Sequence, residues 1–431
     1  MTVNVLRAGF STQEYTLDCT VKGFPGGAKP FALSQIADQK WNVLREDLPL
    51  PLMILKRSAL LNNIRVMNAF LQEYSLCIAP HAKTHMSPQL VDLQLASGAW
   101  GITAGTVSQV QVFRRFGVDR ILLANQLVGK QNVRYIVEEL NADPNFDFFC
   151  LVDSVDGVRH LAALAQEFGL RRPLKVLLEG GFAAGRTGCR TVAAARDVLA
   201  EIRKFRNTLA LAGLEGFEGI IFGDDIAESE ALVNGFLSFL KALLAEIKPE
   251  DLPGATELLL SAGGSAYFDM VAKAFQQLDF FLPKRIVLRS GCYLTHDSQM
   301  YRRFHERMRT RGWHQSQFQP AFEIWSYVQS IPEKGLAILT MGKRDCPYDY
   351  LLPTPLKIYR TNETERELSG CEISNVNDQH AYMTFPESLG LKFGDRVVCG
   401  ISHPCTAFDK WRFIPVVNED YDVVDGLITY F

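Results

Sequence analysis

A chain of 431 residues has room for two to three domains of about 150 residues each, or for one α/β barrel of about 250 residues with a second domain beside it. With 47% apolar residues, 22% charged residues and a net charge of -3, its composition is globular and offers no basic face for nucleic acid or anionic lipid, so a small-molecule ligand is expected. Nine cysteines spread without a CxxC pair do not form the pattern of a disulfide framework, and most are expected to be reduced and buried.

Met1 to Val21 holds Arg7, Glu14 and Asp18 and lacks the apolar core of a signal peptide. No later stretch reaches about 18 uncharged apolar residues, so a cytoplasmic chain without a membrane span is expected. Residues 1–57 include "LPLMILKRS", a strand placed before the barrel and expected to pair with a later sheet. From Leu76 onward eight short β-rich runs alternate with helical segments: "LCIAP", "WGITAG", "RILLAN", "FDFFCLVD", "LKVLLEGG", "LALAGLEGFEG", "ELLLSAGG" and "RIVLRSG". In "AESEALVNGFLSFLKALLAEI" the spacing places Leu232, Phe236, Phe239, Leu240 and Leu243 on one helical face. Repeated strand and helix with near-continuous apolar strands is the signature of a closed parallel (β/α)8 TIM-type barrel, expected over residues 58–315. An open doubly wound sheet is the rival.

After about residue 316 short alternating strands and turns take over, among them "EIWSYVQSI", "LAILTM", "DRVVCGI" and "WRFIPVV". They imply an antiparallel β domain over residues 316–431, joined in part by residues 1–57.

Chemistry in such barrels collects at the carboxyl ends of the strands, with phosphate often held by the last two loops. Those loops are "SAGGSAYFD" and "SGCYLTHD". Gly263, Gly264 and Gly291 can bring backbone N-H groups close to an anion, and Ser265 can cap the following helix. At the end of the first strand, "PHAKTH" would point Lys83 into the same barrel mouth. A desolvated Lys there can form a Schiff base, and with a phosphate cradle this makes pyridoxal phosphate the economical cofactor. His81 and His85 flank Lys83 at two residues on either side and would share its side in an extended segment, beside the cofactor. In the β domain, His403 and Cys405 of "ISHPCTAFDK" would likewise face one way if extended. Imidazole with thiolate suits Zn, and two protein ligands leave positions open for water or substrate. A buried Cys beside a hydrogen-bonded His is the bland alternative.

"PHAKTHMSPQLVDLQLASGAWGITAGTVSQV", "ILLANQLV", "GRTGCR", "SAGGSAYF", "SGCYLTHD", "NVNDQHAYM" and "GDRVVCGISHPCTAFDK" together resemble the D-threonine aldolase and D-serine dehydratase family. This is the metal-dependent branch of the fold-type III pyridoxal-phosphate enzymes, with an alanine racemase-like architecture. The chain looks most like the bacterial D-serine dehydratase-like amino acid deaminases. The resemblance implies that Lys83 is the Schiff-base lysine and that Gly263, Gly264, Gly291, Cys292 and Tyr293 lie at the cofactor phosphate. It puts Arg186 near the cofactor or substrate, although "EGGFAAGRTG" is longer than the family's usual acidic pair before this Arg. It places His380 near the substrate or the metal, and His403 with Cys405 on Zn, with Mn or another divalent ion as the alternative.

With Cys rather than Asp as the second ligand, the resemblance implies a dehydratase. Lys83 would abstract the α-proton of a D-β-hydroxy amino acid, Zn would assist departure of the β-hydroxyl, and a 2-keto acid with ammonia would result. A D-threonine aldolase, a racemase of the same fold and a cofactor carrier without turnover are the competing readings. A homodimer is expected, and "MGKRDCPYD", Met341 to Asp349, is a charged loop that could reach the site across the dimer interface.

Overall fold

The computed structural model describes residues 15–313, 317–360 and 365–431. Most of the expected N-terminal signal-free stretch and the expected domain boundary at residues 315–316 lie outside the described residues. Two compact units are present, one comprising Asn68–Lys83 and Gln94–Gly291, the other Met1–Met67, Thr84–Leu93 and Cys292–Phe431. The units interleave along the chain, crossing after Met67, after Lys83, after Leu93 and after Gly291.

The first unit holds all eight expected parallel strands: β1 (Cys77–Ile78), β2 (Ile102–Ala104), β3 (Arg120–Gln126), β4 (Asp147–Val152), β5 (Leu174–Gly180), β6 (Leu209–Gly216), β7 (Leu258–Ala262) and β8 (Lys284–Leu288). Their order in the sheet is β1-β8-β7-β6-β5-β4-β3-β2. The ring closes between β1 and β2 through a bridge from His81 to Thr103, with Trp100 N-H on the Ile78 carbonyl at 2.8 Å and Thr103 N-H on the Pro80 carbonyl at 2.9 Å. The TIM-type barrel is therefore present and the open sheet is not. Ala79, Leu122, Phe149, Leu151, Leu177, Leu259 and Val287 form one buried apolar cluster contributed by several of the strands, as a filled barrel requires.

Four of the strand-to-helix loops end on a side chain that accepts a first-turn N-H. Thr106 takes Gln109 N-H at 3.3 Å, Ser154 takes Gly157 at 3.2 Å, Thr191 takes Ala194 at 3.1 Å and Asp225 takes Glu228 at 2.8 Å. Each such cap contributes about 1 kcal/mol and fixes where the helix begins. The helix Ile226–Leu244 buries Val233, Phe236, Leu237, Leu240, Leu243 and Leu244, whereas Leu232 is exposed. The apolar face is thus rotated from the expected one, because Val233 and Leu237 were left out of the pattern.

In the second unit, Leu52–Lys56 is a fully built strand. It pairs antiparallel with Phe322–Trp325 and parallel with Val416–Val417. Phe322–Glu333 also pairs with Arg396–Gly400 and Leu336–Leu339, giving an antiparallel sheet around buried Trp325, Ile324, Val397 and Phe413. Two further strands, Arg366–Glu367 and Glu372–Val376, escaped the pattern because their residues are mostly polar and exposed. All nine cysteines are unpaired, and no helix among the described residues is long and apolar enough to cross a membrane.

Candidate active site

Strand β1 runs into a 3-10 turn at Ala82–Thr84, which leaves Lys83 exposed while Ala82 and Thr84 are buried. The turn corrects the expected extended geometry. His85 does not share a face with Lys83. It belongs to the other unit, where its Nδ1 accepts the Ser87 N-H at 3.1 Å and its ring meets Phe408 edge-on at 5.9 Å. His81 stays with Lys83 in the barrel unit, its N-H on the Arg289 carbonyl at 3.2 Å. Gly105 at the end of β2 lies beside both, since a Cβ there would be in ordinary contact with His81 Cε1 at 3.5 Å and Lys83 Cδ at 3.6 Å.

The charges at this barrel end are arranged by burial. His81 is held neutral, well below the ordinary imidazole range, by desolvation and then by the positive charges of Lys83 and Arg289. Its Nδ1 is buried and has no hydrogen-bond partner among the described residues. Arg289, just past β8, is buried, pairs with Glu215 and donates to the Gly216 carbonyl at 3.0 Å. Burial pushes Glu215 up to about 8, although Arg289 pulls against it. Glu179 at the end of β5 accepts from Gln126 at 2.5 Å and Thr187 at 2.6 Å, and burial raises it as well. Arg186 is exposed, with its guanidinium 4.8 Å from the centre of the Phe217 ring.

At the seventh loop, Gly263 has φ +86° and both glycine N-H groups already hold an anion. Glu218 Oε2 accepts from Gly263 at 3.1 Å and Oε1 from Gly264 at 2.7 Å. Ser265 does not cap the next helix. The cap position is Tyr267, which makes no side-chain capping bond.

Cys405 and His403 define a second cluster, in the other unit. Pro404 is helical, with φ -58° and ψ -38°, and Cys405 opens the one-turn helix Cys405–Phe408. The expected extended His-x-Cys geometry is therefore replaced by a turn. Cys405 Sγ lies 3.2 Å from Thr84 Oγ1 and 3.5 Å from Cys292 Sγ. His403 Nδ1 lies 2.5 Å from Asp349 Oδ2, and Thr406 donates to Asp349 Oδ1 at 2.7 Å. Burial would lower His403, but Cys405 and Asp349 outweigh it and raise the imidazole to about 8. The Cys292 thiol and the His403 imidazole hold Cys405 well below the ordinary thiol range against its burial. Tyr293 is buried. His380 is exposed in a turn whose backbone joins Lys343 and Arg344, with Lys343 N-H on the Asn377 carbonyl at 2.8 Å. The charged loop thus reaches the cluster within its own chain, through Asp349.

The residues present fit both groups named by the resemblance. For pyridoxal phosphate, the fitting features are the exposed amine of Lys83 and the orphaned His81 Nδ1, since the Gly263 and Gly264 amides are already taken by Glu218. For zinc, it is the donor chemistry: a thiol next to an imidazole whose Nδ1 is taken by a carboxylate, the usual support of a ligating histidine. Among the described residues no group of three His, Cys, Asp or Glu side chains is arranged to hold a metal ion, so His403 and Cys405 stand as a pair.

Sequence reasoning missed Glu179, Glu215, Glu218 and Arg289, and it named the loop ending at Asp349 without singling that residue out. The three glutamates and Arg289 carried a signal, since each is a charge at the end of an apolar strand or in the loop that follows it.

The chain is 24% identical over 377 residues to the 3-hydroxy-D-aspartate aldolase of Paracoccus denitrificans (strain Pd 1222), covering 87% of this chain and 90% of that protein. Its fold is similar to that of D-threonine aldolase from Filomicrobium marinum, with TM-score 0.72, 20% identity and coverage of 89% and 95%. D-threo-3-hydroxyaspartate dehydratase from Delftia sp. HT23 gives TM-score 0.70, 17% identity and coverage of 90% and 99%. An alanine racemase-like protein from Idiomarina loihiensis gives TM-score 0.69, 13% identity and coverage of 90% and 98%.

These likenesses define the class: an alanine racemase-like barrel with an antiparallel β domain. Residues 321–417, which carry His403 and Cys405, match the putative serine dehydratase domain, and the resemblance to the D-threonine aldolase and D-serine dehydratase family holds.

Proposed function

We propose that this protein is a pyridoxal-phosphate- and zinc-dependent dehydratase that converts a D-β-hydroxy amino acid, such as D-serine or D-threonine, to a 2-keto acid and ammonia. The observation that carries the reading is the His403–Cys405 pair, braced by Asp349, inside the stretch that matches the putative serine dehydratase domain. Lys83, His81, Ser265 and Gly291 would hold the cofactor, which when bound supplies an electron sink for charge at the substrate Cα. The Lys83 amine, exposed at the end of β1, takes the α-proton. Neutral His81 beside it adds no competing positive charge. Zinc on His403 and Cys405, when bound, supplies a Lewis acid for the departing β-hydroxyl.

A second reading, an aldolase releasing glycine and an aldehyde, is favoured by the names of two of the similar proteins, 3-hydroxy-D-aspartate aldolase and D-threonine aldolase. The two separate in one assay. Metal-loaded protein is supplied with D- and L-serine, threonine and 3-hydroxyaspartate, and keto acid, ammonia, glycine and aldehyde are all quantified. Keto acid with ammonia from the D-isomers, abolished by chelator, is the expected result. Lys83→Ala should lose both turnover and the visible absorbance of bound cofactor. Glycine with aldehyde and no keto acid would replace the proposal by the aldolase, and chelator-resistant inversion of the α-carbon would replace it by a racemase.

A further inference from the structure

Glu218 is completely buried, yet the reaction proposed above gives it no role. Its two oxygens accept the N-H groups of consecutive residues, Gly263 and Gly264, at 3.1 and 2.7 Å. The carbonyls of the same two glycines are also engaged. Gly263 O accepts from Arg289 N and from Ser290 Oγ, both at 3.1 Å, and Gly264 O accepts from Ser290 Oγ at 3.2 Å. All four backbone polar groups of the turn are therefore spent inside the protein. Consecutive N-H groups in such a turn form an anion-binding concavity, and here the chain fills it with its own carboxylate. Packing restricts the turn from another side, because a Cβ on Gly264 would lie 2.7 Å from Phe217 Cε2. The N-H groups of Ser265, directly after the turn, and of Gly291, directly after Ser290, make no hydrogen bond to the protein among the described residues.

We propose that Glu218 is a positioning residue for the cofactor phosphate: its carboxylate sets the shape of the Gly263–Gly264 turn, so that phosphate is bound by Ser265 and Gly291 rather than by the two glycine amides. This inference rests on the reading of the barrel as a pyridoxal-phosphate site, and it revises which groups of the glycine loop touch the anion.

The test compares pyridoxal phosphate with pyridoxal, which carries the aldehyde without the phosphate. Wild type, Glu218→Ala and Glu218→Gln are each titrated with both compounds, following visible absorbance, with circular dichroism as the check on folding. The expected result is a dissociation constant for pyridoxal phosphate raised at least ~10-fold in Glu218→Ala, the loss of about one charge-assisted hydrogen bond. Pyridoxal affinity should be unchanged. Glu218→Gln retains volume and one acceptor oxygen, should show a smaller increase, and carries the test if the alanine variant does not fold. Unchanged affinity for pyridoxal phosphate in the variants overturns the proposal. Tighter binding in Glu218→Ala also overturns it, because Glu218 would then be holding the phosphate's own place. Absence of any visible band in wild type sinks the cofactor reading itself, a result that needs no variant to be seen.

Discussion

Asp349 is fixed through both oxygens, one on His403 Nδ1 at 2.5 Å and the other on the Thr406 hydroxyl at 2.7 Å. A carboxylate on Nδ1 selects the tautomer that leaves Nε2 as the ligating nitrogen and makes that nitrogen more basic. Asn at position 349 keeps the shape and loses the charge. Asp349→Asn is therefore expected to weaken zinc binding by about 10–100-fold, measured by competition with a chromophoric chelator, while the urea midpoint stays near wild type. Zinc affinity equal to wild type would remove Asp349 from the proposed metal site. His403 and Cys405, the pair proposed for zinc, were named from their spacing in one motif, whereas Asp349 belongs to a loop more than fifty residues earlier with the composition of a solvated turn. The position of Lys83 just past the first barrel strand was legible for a different reason, since counting strands placed it there. The buried glutamates were visible as letters but not as partners, because only the folded barrel brings Glu218 to Gly263 and Glu215 to Arg289.

All eight barrel strands were readable from sequence because a parallel strand covered on both faces must be apolar along its whole length. Elements whose formation depends on neighbours were not. Strand β1 has only two residues, and the ring closes through a single bridge at His81. The turn at Pro404 overrides the extended reading of His403 and Cys405. Gly213 marks another feature set by neighbours. Register along β5 and β6 shifts between Val176 and Leu177, so that Leu177 faces Gly213 and Ala212 is skipped. A Cβ on Gly213 would lie 1.8 Å from the Leu259 carbonyl oxygen in β7, and the backbone there cannot yield without breaking the pairing. Gly213→Ala should cost about 3 kcal/mol or more by urea denaturation. Gly235, inside the helix Ile226–Leu244, has nothing within 4 Å of its missing Cβ, and Gly235→Ala should gain about 0.5–1 kcal/mol. Equal midpoints for the two variants would contradict the close approach at β7.

For the molecule as a whole, the buried charges set how stability follows pH. The barrel unit buries Glu179, Glu215 and Glu218 at or just past its strand ends, with Glu201, Asp251 and Asp269 buried elsewhere in it, and Arg289 is its one buried arginine or lysine among the described residues. Desolvation is the largest influence on Glu179, Glu215 and Glu218 and raises each of them. For Glu215 the shift runs from 4.5 in the unfolded chain to about 8 in the fold. Folding therefore takes up a proton between those values. The stabilising contribution is complete below pH 4.5 and is lost as pH rises through 8, at no more than ~1.4 kcal/mol per pH unit. Protein dialysed free of small ligands should accordingly lose stability from pH 5 to pH 8. Glu215→Gln, neutral in both states, should lose less over the same window, with a slope smaller by up to one proton's worth. Urea midpoints at four or five pH values measure the difference. Parallel slopes for the two proteins would mean that Glu215 is already ionised in the fold and that its pair with Arg289 outweighs burial.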